Sequence, residues 1–254
     1  MSLAILLATL WGCAELSGPG LAPNSVEISS DSPLRAVDGH FTADAPFGQA
    51  ASGEPLIGRT IRVGSERLGI AAAMPDSRDP DHEIELYRLT RIDAGNAAYC
   101  PGDGLGFPVS GKTAGAIRIV CLGTAEARCV HLGYRPWRKA GDGSSLRDYN
   151  EACVRALQAD YCGSGTSHSS GGEALALYDR LGIQHLRTAT GMSFEAGWNV
   201  DGAVCVNHIR PPSRITLKDL RTECANLPKT KLGNSCDERD PALIFTKSPT
   251  APAS

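Results

Sequence analysis

Eight of the nine cysteines fall after residue 99, and that spacing limits the possible folds more than any other feature of the chain. They are Cys100, Cys121, Cys129, Cys153, Cys162, Cys205, Cys224 and Cys236, with Cys13 standing apart near the start. An even set of this size reads as four disulfides formed in an oxidising compartment. Structural zinc places its ligands about two to four residues apart. Here the nearest spacings are eight (Cys121, Cys129) and nine (Cys153, Cys162), so no metal is expected. Eight cysteines allow on the order of a hundred connectivities, and sequence does not choose among them in general. One pairing is disfavoured locally. Cys153 and Cys162 on an unbroken helix would stand roughly 13 Å apart, beyond the ~7 Å reach of a bridge. Cys129 with Cys153, joining two helices, is the better pairing.

The chain has 254 residues, enough for a core that folds without a metal. Lys and Arg number 25 against 28 Asp and Glu, a net charge of −3. Without a basic excess, nucleic acid is not an expected partner. Gly106-Phe-Pro-Val-Ser-Gly111-Lys112-Thr113 matches a P-loop letter for letter. A P-loop needs a buried strand before it and a helix after it, so that backbone N–H groups can hold phosphate. Turn residues precede this stretch and a β-branched run follows it. It reads as a surface turn, and no nucleotide or other cofactor is expected.

Residues 1–12 read as an export signal. Leu3 to Trp11 is a short apolar run. It is too short for a membrane helix of roughly 20 residues and suits a signal-peptide core of about 7–15. It ends in Leu10-Trp11-Gly12-Cys13, a lipobox-like sequence that makes Cys13 the expected lipidation site and the membrane the expected partner. Ala14, rather than Asp, after the cysteine points to the outer membrane. Residues 13–55 are rich in Gly, Pro, Ser and Asp and read as a flexible tether. Residues 56–99 read as a β-rich part, 100–247 as the cysteine-stapled part, and 248–254 as a disordered tail.

The elements expected are those of a disulfide-rich α+β single domain: N-terminal strands, two or three short helices and a C-terminal β portion. Ile57–Val63, Glu83–Thr90 and Ala116–Cys121 read as strands, with Ile84, Leu86 and Leu89 facing inward. Thr124–Leu132 has a helix cap at its start and Gly133 at its end. Ser145-Leu-Arg-Asp148 is a capping-box-like start to a helix reaching Tyr161. Glu173–Leu181 reads as a third helix. Phe194–Trp198 and Ala203–Val206 read as strands around Asp201-Gly202. Ile215–Leu220 is a short helix or strand.

Ala159-Asp160-Tyr161-Cys162 closes the strongest helix. Cys129-Val-His-Leu-Gly-Tyr-Arg-Pro-Trp137 precedes it. Gly165-Thr-Ser-His168, Tyr178-Asp-Arg-Leu-Gly-Ile183, Phe194-Glu-Ala-Gly-Trp198 and Ala203-Val-Cys205 follow. This order of motifs resembles the bacterial ADYC domain family over about residues 100–240. The resemblance implies an exported protein, often lipid-anchored, and implies no reaction. The family commonly has Gly-Asp-Gly and Ser-His-Thr where this chain has Gly163-Ser-Gly165 and Ser167-His-Ser169, so a carboxylate is missing at 164.

Two functional readings follow. In the first, an envelope binding or structural module meets a protein or glycan through the Gly163–Gly172 loop, without catalysis. In the second, an extracellular hydrolase uses His168 with Asp160 or Asp179. A Cys162–His168 dyad would need a free thiolate, which the even cysteine count opposes. Ser167 has no nucleophile elbow around it. Asp160 more commonly caps a loop, Tyr134 and Trp137 more commonly fill a core, and His131 near a helix C-terminus needs no role beyond its dipole.

Overall fold

The computed structural model describes residues 34–44, 50–111, 113, 116–186, 190–213 and 215–250. Cys13, the expected signal and most of the expected tether lie outside them. Among the described residues the fold is α+β, with three antiparallel sheets, three α-helices and four disulfides.

Folded structure begins well before residue 56. Strands β1 (Leu34–Val37) and β2 (His40–Asp44) form a hairpin, and β3 (Ala50–Ala51) adds to β2. The turn is Asp38-Gly39 with both φ angles positive, a two-residue geometry that matches strand twist. Phe41 is fully buried, edge-on to Tyr87 with ring centroids 4.8 Å apart. Its N–H donates to the Tyr87 hydroxyl at 3.0 Å. One buried aromatic and an Asp-Gly turn thus fold residues 34–44, which composition assigned to a tether.

The second sheet runs β4 (Thr60–Val63), β5 (Glu66–Pro75), β6 (Glu85–Arg91), β8 (Leu105–Ser110), β9 (Ile117–Cys121), with β7 (Ala97–Ala98) beside β6. Its end strands β4 and β9 approach within 8 Å between Cα atoms, so the sheet curls around a core. Tyr87 and Leu89 of β6 face that core with Phe41, Leu56, Leu68 and Ile70. Ile84 and Leu86 face the other way, with Phe107, Val109 and Val130. The expectation of a single buried face for β6 therefore fails, because both faces are covered. Gly106–Ser110 of the P-loop lookalike runs inside β8, paired with β9, and is a strand rather than a surface turn. A Cβ on Gly106 would stand 2.9 Å from Cys100 Sγ, so this glycine makes room for the Cys100–Cys121 bridge.

Helix α1 (Ala125–His131) starts where Thr124 accepts from the Ala127 N–H. Helix α2 (Leu146–Gln158) starts at Ser145, whose hydroxyl accepts from Arg147. Cys129–Cys153 clips the two helices at a Cα separation of 5.9 Å, the pairing expected. Helix α2 stops at Ala159, which is in the left-handed region, three residues before Cys162.

The third sheet is ordered β10 (Ala176–Asp179), β13 (Ile244–Pro249), β11 (Met192–Asn199), β12 (Gly202–Val206). The strands expected around Asp201-Gly202 are present. The helix expected over 173–181 is not: Ala176–Asp179 pairs with β13, and that pairing overrides the helical preference of Ala and Leu. Nor does the chain become tail at 248. Strand β13 sits between two neighbours, so Ser248 is fully buried, in a hydrogen bond with His208 at 3.0 Å. Helix α3 (Leu217–Glu223) opens with a reciprocal capping box between Thr216 and Asp219. Cys162–Cys224 ties it to the end of α2, and Cys205–Cys236 ties β12 to the chain leading into β13. No helix among the described residues is long and apolar enough to cross a membrane.

Four bridges fit an oxidising, extracytoplasmic environment. Alkylation of unreduced protein should label none of the eight cysteines, checked by intact mass and peptide mapping. Replacing Cys129 and Cys153 together by serine should lower unfolding free energy by about 2–4 kcal/mol in denaturant titration.

Candidate functional site

The tetrapeptide at the end of α2 does structural work at every position. Ala159 is buried with φ 52° and turns the chain out of the helix. The fully buried Asp160 carboxylate accepts from the Ser164 and Gly165 N–H groups at 3.1 and 2.8 Å and pairs with Arg155. It caps the loop, as its residue type suggested. The Tyr161 hydroxyl donates to Glu195 at 2.9 Å and accepts from the Arg210 N–H at 3.0 Å. Burial, followed by the Glu195 charge, raises the tyrosine pKa well above its ordinary value. Cys162 is bonded to Cys224 and is no nucleophile. Gly163 follows because a Cβ there would overlap Asp201 O at 2.0 Å; the loop lies backbone to backbone on the β11–β12 turn.

Glu195 and Arg210 form a buried two-toothed ion pair, with Nε to Oε2 at 3.1 Å and Nη2 to Oε1 at 3.0 Å. Arg210 also donates to the Ala156 carbonyl at 2.8 Å, a helix-end acceptor that takes the Ala159 N–H as well, at 3.2 Å. Residues from α2, β11 and the 206–216 loop are thereby joined through one guanidinium.

The proposed hydrolase constellation is not assembled. The His168 ring lies over Tyr161, with centroids 6.3 Å apart, and makes no side-chain hydrogen bond among the described residues. Asp160 is engaged as above. Asp179 accepts from the Tyr134 hydroxyl at 2.6 Å and from the Ile183 and Gln184 N–H groups at 3.2 and 2.7 Å. Neither carboxylate orients His168. The loop hydrogen bonds to itself and to α2: His168 N–H donates to Gln158 O at 2.9 Å, and Ser167 Oγ to the same carbonyl at 3.1 Å.

What the loop does form is one wall of a cleft of about 500 Å³. Helix α1 supplies Arg128 and His131, the end of α2 supplies Gln158, the loop supplies Ser170 and Glu173, and the β5–β6 connection supplies Arg78. His131 Nε2 lies 2.7 Å from the Oδ2 of Asp76, whose side chain is only 1% exposed. Arg78 reaches the same carboxylate through Nε at 3.1 Å. Burial pushes the Asp76 carboxyl up, but the Arg78 hydrogen bonds and His131 outweigh it and hold the group below the ordinary aspartate value. Sequence reasoning gave His131 no role beyond the helix dipole and missed Asp76 and Arg78. Asp76 is 55 residues from His131, and no local signal joins them.

A charged clasp fixes the β5–β6 connection. Asp79 accepts from the Asp81, Glu83 and Ile84 N–H groups and pairs with the buried Arg135. Glu83 accepts from Trp137 Nε1 at 2.9 Å, Arg135 at 2.8 Å and Arg138 Nε at 2.9 Å. Burial raises both carboxyls, but these donors leave each below its usual pKa. Tyr134 and Trp137 differ in burial: Tyr134 is core, whereas Trp137 is only partly buried, holding Glu83.

A carboxylate whose folded pKa is depressed stabilises the fold above its unfolded pKa, and that stability is lost as pH falls through the folded value. Asp76, Asp79 and Glu83 should therefore give an acid limb below about pH 4, and Asp79→Asn should flatten it in pH-dependent denaturant melts. Glu195→Gln should cost about 3–5 kcal/mol, since it leaves Arg210 buried without its counter-charge. Tyr161→Phe should cost about 1–3 kcal/mol by orphaning the Arg210 N–H.

The family model of the ADYC domain matches residues 53–212. This span begins earlier than the 100–240 expected, takes in the curled second sheet, and ends before α3 and β13. It contains the clasp, the cleft and the Glu195–Arg210 pair, while the partners of Cys162 and Cys205 lie beyond it. No curated protein and no solved structure matches the chain. A match over well over half of the residues, with the tetrapeptide at the turn it shapes, makes this chain a member of the ADYC domain family.

Proposed function

We propose that this chain is an exported, lipid-anchored envelope protein whose ADYC domain is a binding module, taking its ligand in the cleft beside the Gly163–Gly172 loop. The cleft carries the reading. Its lining carries polar side chains from four separate segments, while the residues of the family tetrapeptide are committed to structure. A binding surface needs presented donors on a rigid frame, and two clipped helices supply the frame. The lipobox-like Leu10-Trp11-Gly12-Cys13 supports anchoring, Ala14 supports the outer membrane, and four bridges support export.

Cys13→Ala should release the protein from membranes in a fractionation of expressing bacteria; unchanged retention would remove the anchor from the reading. Ser170 is exposed at the cleft wall. Ser170→Trp should block the cleft, leave the melting temperature within about 2 °C, and abolish retention of the labelled protein on purified cell-envelope glycan and protein fractions. Equal retention by both forms would place binding elsewhere. His168→Ala should change neither result.

A further inference from the structure

The geometry points to an acidic sugar, carrying a carboxylate or a phosphate, as the ligand class of this cleft; this inference rests on the binding-module reading above. Two guanidinium groups from different elements line one cavity: Arg78 from the β5–β6 connection and Arg128 from α1. Arg128 is exposed and has no side-chain partner among the described residues. Arg78 gives Nε and Nη2 to Asp76, which holds the group in place and leaves Nη1 unused. Arginine forks suit planar or tetrahedral oxyanions, because several N–H donors meet several oxygens at once.

Two acids stand near these cations, and both keep their negative charge. Asp76 lies beneath the surface between Arg78 and His131. The Glu173 carboxylate accepts from Ser169 Oγ at 2.7 Å and from the Ser170 N–H. Arg210, also on the lining, is spent on Glu195 and on α2. Asp76 balances the Arg78 charge and Glu173 stays anionic on the wall, so the donors left for a ligand are Arg78 Nη1 and the Arg128 guanidinium. Beside them are uncharged polar groups, the Gln158 amide and the Ser170 hydroxyl, neither with a side-chain partner among the described residues. Among the described residues no Phe, Tyr or Trp lines the cavity, and the one ring there, His131, is held by Asp76. Oxyanion recognition by arginines, with amide and hydroxyl groups for neighbouring alcohols, matches an acidic sugar. A volume of about 500 Å³ admits one or two rings. Asp76 is a positioning residue for Arg78 and His131 and does not meet the ligand.

Titration calorimetry on the full oxidised protein tests this with galacturonate, glucose 6-phosphate and glucose. At least one acidic sugar should bind, glucose should bind at least about tenfold more weakly, and Arg128→Gln should weaken the acidic sugar by about tenfold, the scale of one charge-assisted hydrogen bond. Binding of galacturonate alone assigns a carboxylate, of glucose 6-phosphate alone a phosphate, and of both the shared oxyanion. Equal binding of glucose, no binding of either acid, or an Arg128→Gln protein that binds as the parent does overturns the inference. If neither acid binds while Ser170→Trp still abolishes retention on envelope fractions, the ligand class falls and the binding module stands. If Ser170→Trp also changes nothing, both fall.

Discussion

The buried pair of Glu195 and Arg210 is the contact on which the C-terminal half of the fold is arranged. Two charges removed from water are tolerated only with close geometry and satisfied hydrogen bonds. Here the guanidinium meets both carboxylate oxygens and a helix-end carbonyl, and the Tyr161 hydroxyl bridges the acid to the Arg210 backbone. Helix α2 must end where it does for that carbonyl to face Arg210. Strand β11 must place Glu195 inward, and Tyr161 must leave the helix toward it. Trp198, 5.1 Å from Tyr161 between ring centroids, fills the space beside them.

The curled sheet and the helical, third-sheet half meet through α1 and the charged clasp. Val130 of α1 packs under the second sheet while Cys129, its neighbour in sequence, is bonded to α2. Arg135 and Trp137 then reach back to Asp79 and Glu83. The cleft lies where these parts converge, and its cationic side chains are set by contacts made for stability: Asp76 is anchored by the strand end, and Arg78 by Asp76. Cleft shape is therefore coupled to the integrity of the fold.

Much of the secondary structure was legible because it rests on local chemistry. Thr124 and Ser145 cap helices where their hydroxyls predict, and Asp201-Gly202 turns a hairpin. Asp38-Gly39 carried the same signal inside a Gly- and Pro-rich stretch, where composition obscured it. The segment 173–181 was misread because its strand exists only through β13, about seventy residues later. At the candidate site the loop was legible as a Gly- and Ser-rich turn, but the cations opposite it were not. Arg78 and Arg128 become neighbours of that loop only through the packing of α1 between the second sheet and α2.

By itself the sequence determined the covalent character of the protein and its class: an even set of cysteines spaced for bridges, an α+β pattern, and the tetrapeptide of its family. These depend on residue type and short spacing, which the chain carries without folding. Tertiary structure decided what each of those residues is for. Asp160 caps a loop and Asp179 holds a tyrosine, while Asp76, with no motif around it, orients the cleft. A carboxylate takes its role from the donors that reach it, and those donors come from positions that only the folded chain brings within hydrogen-bond distance.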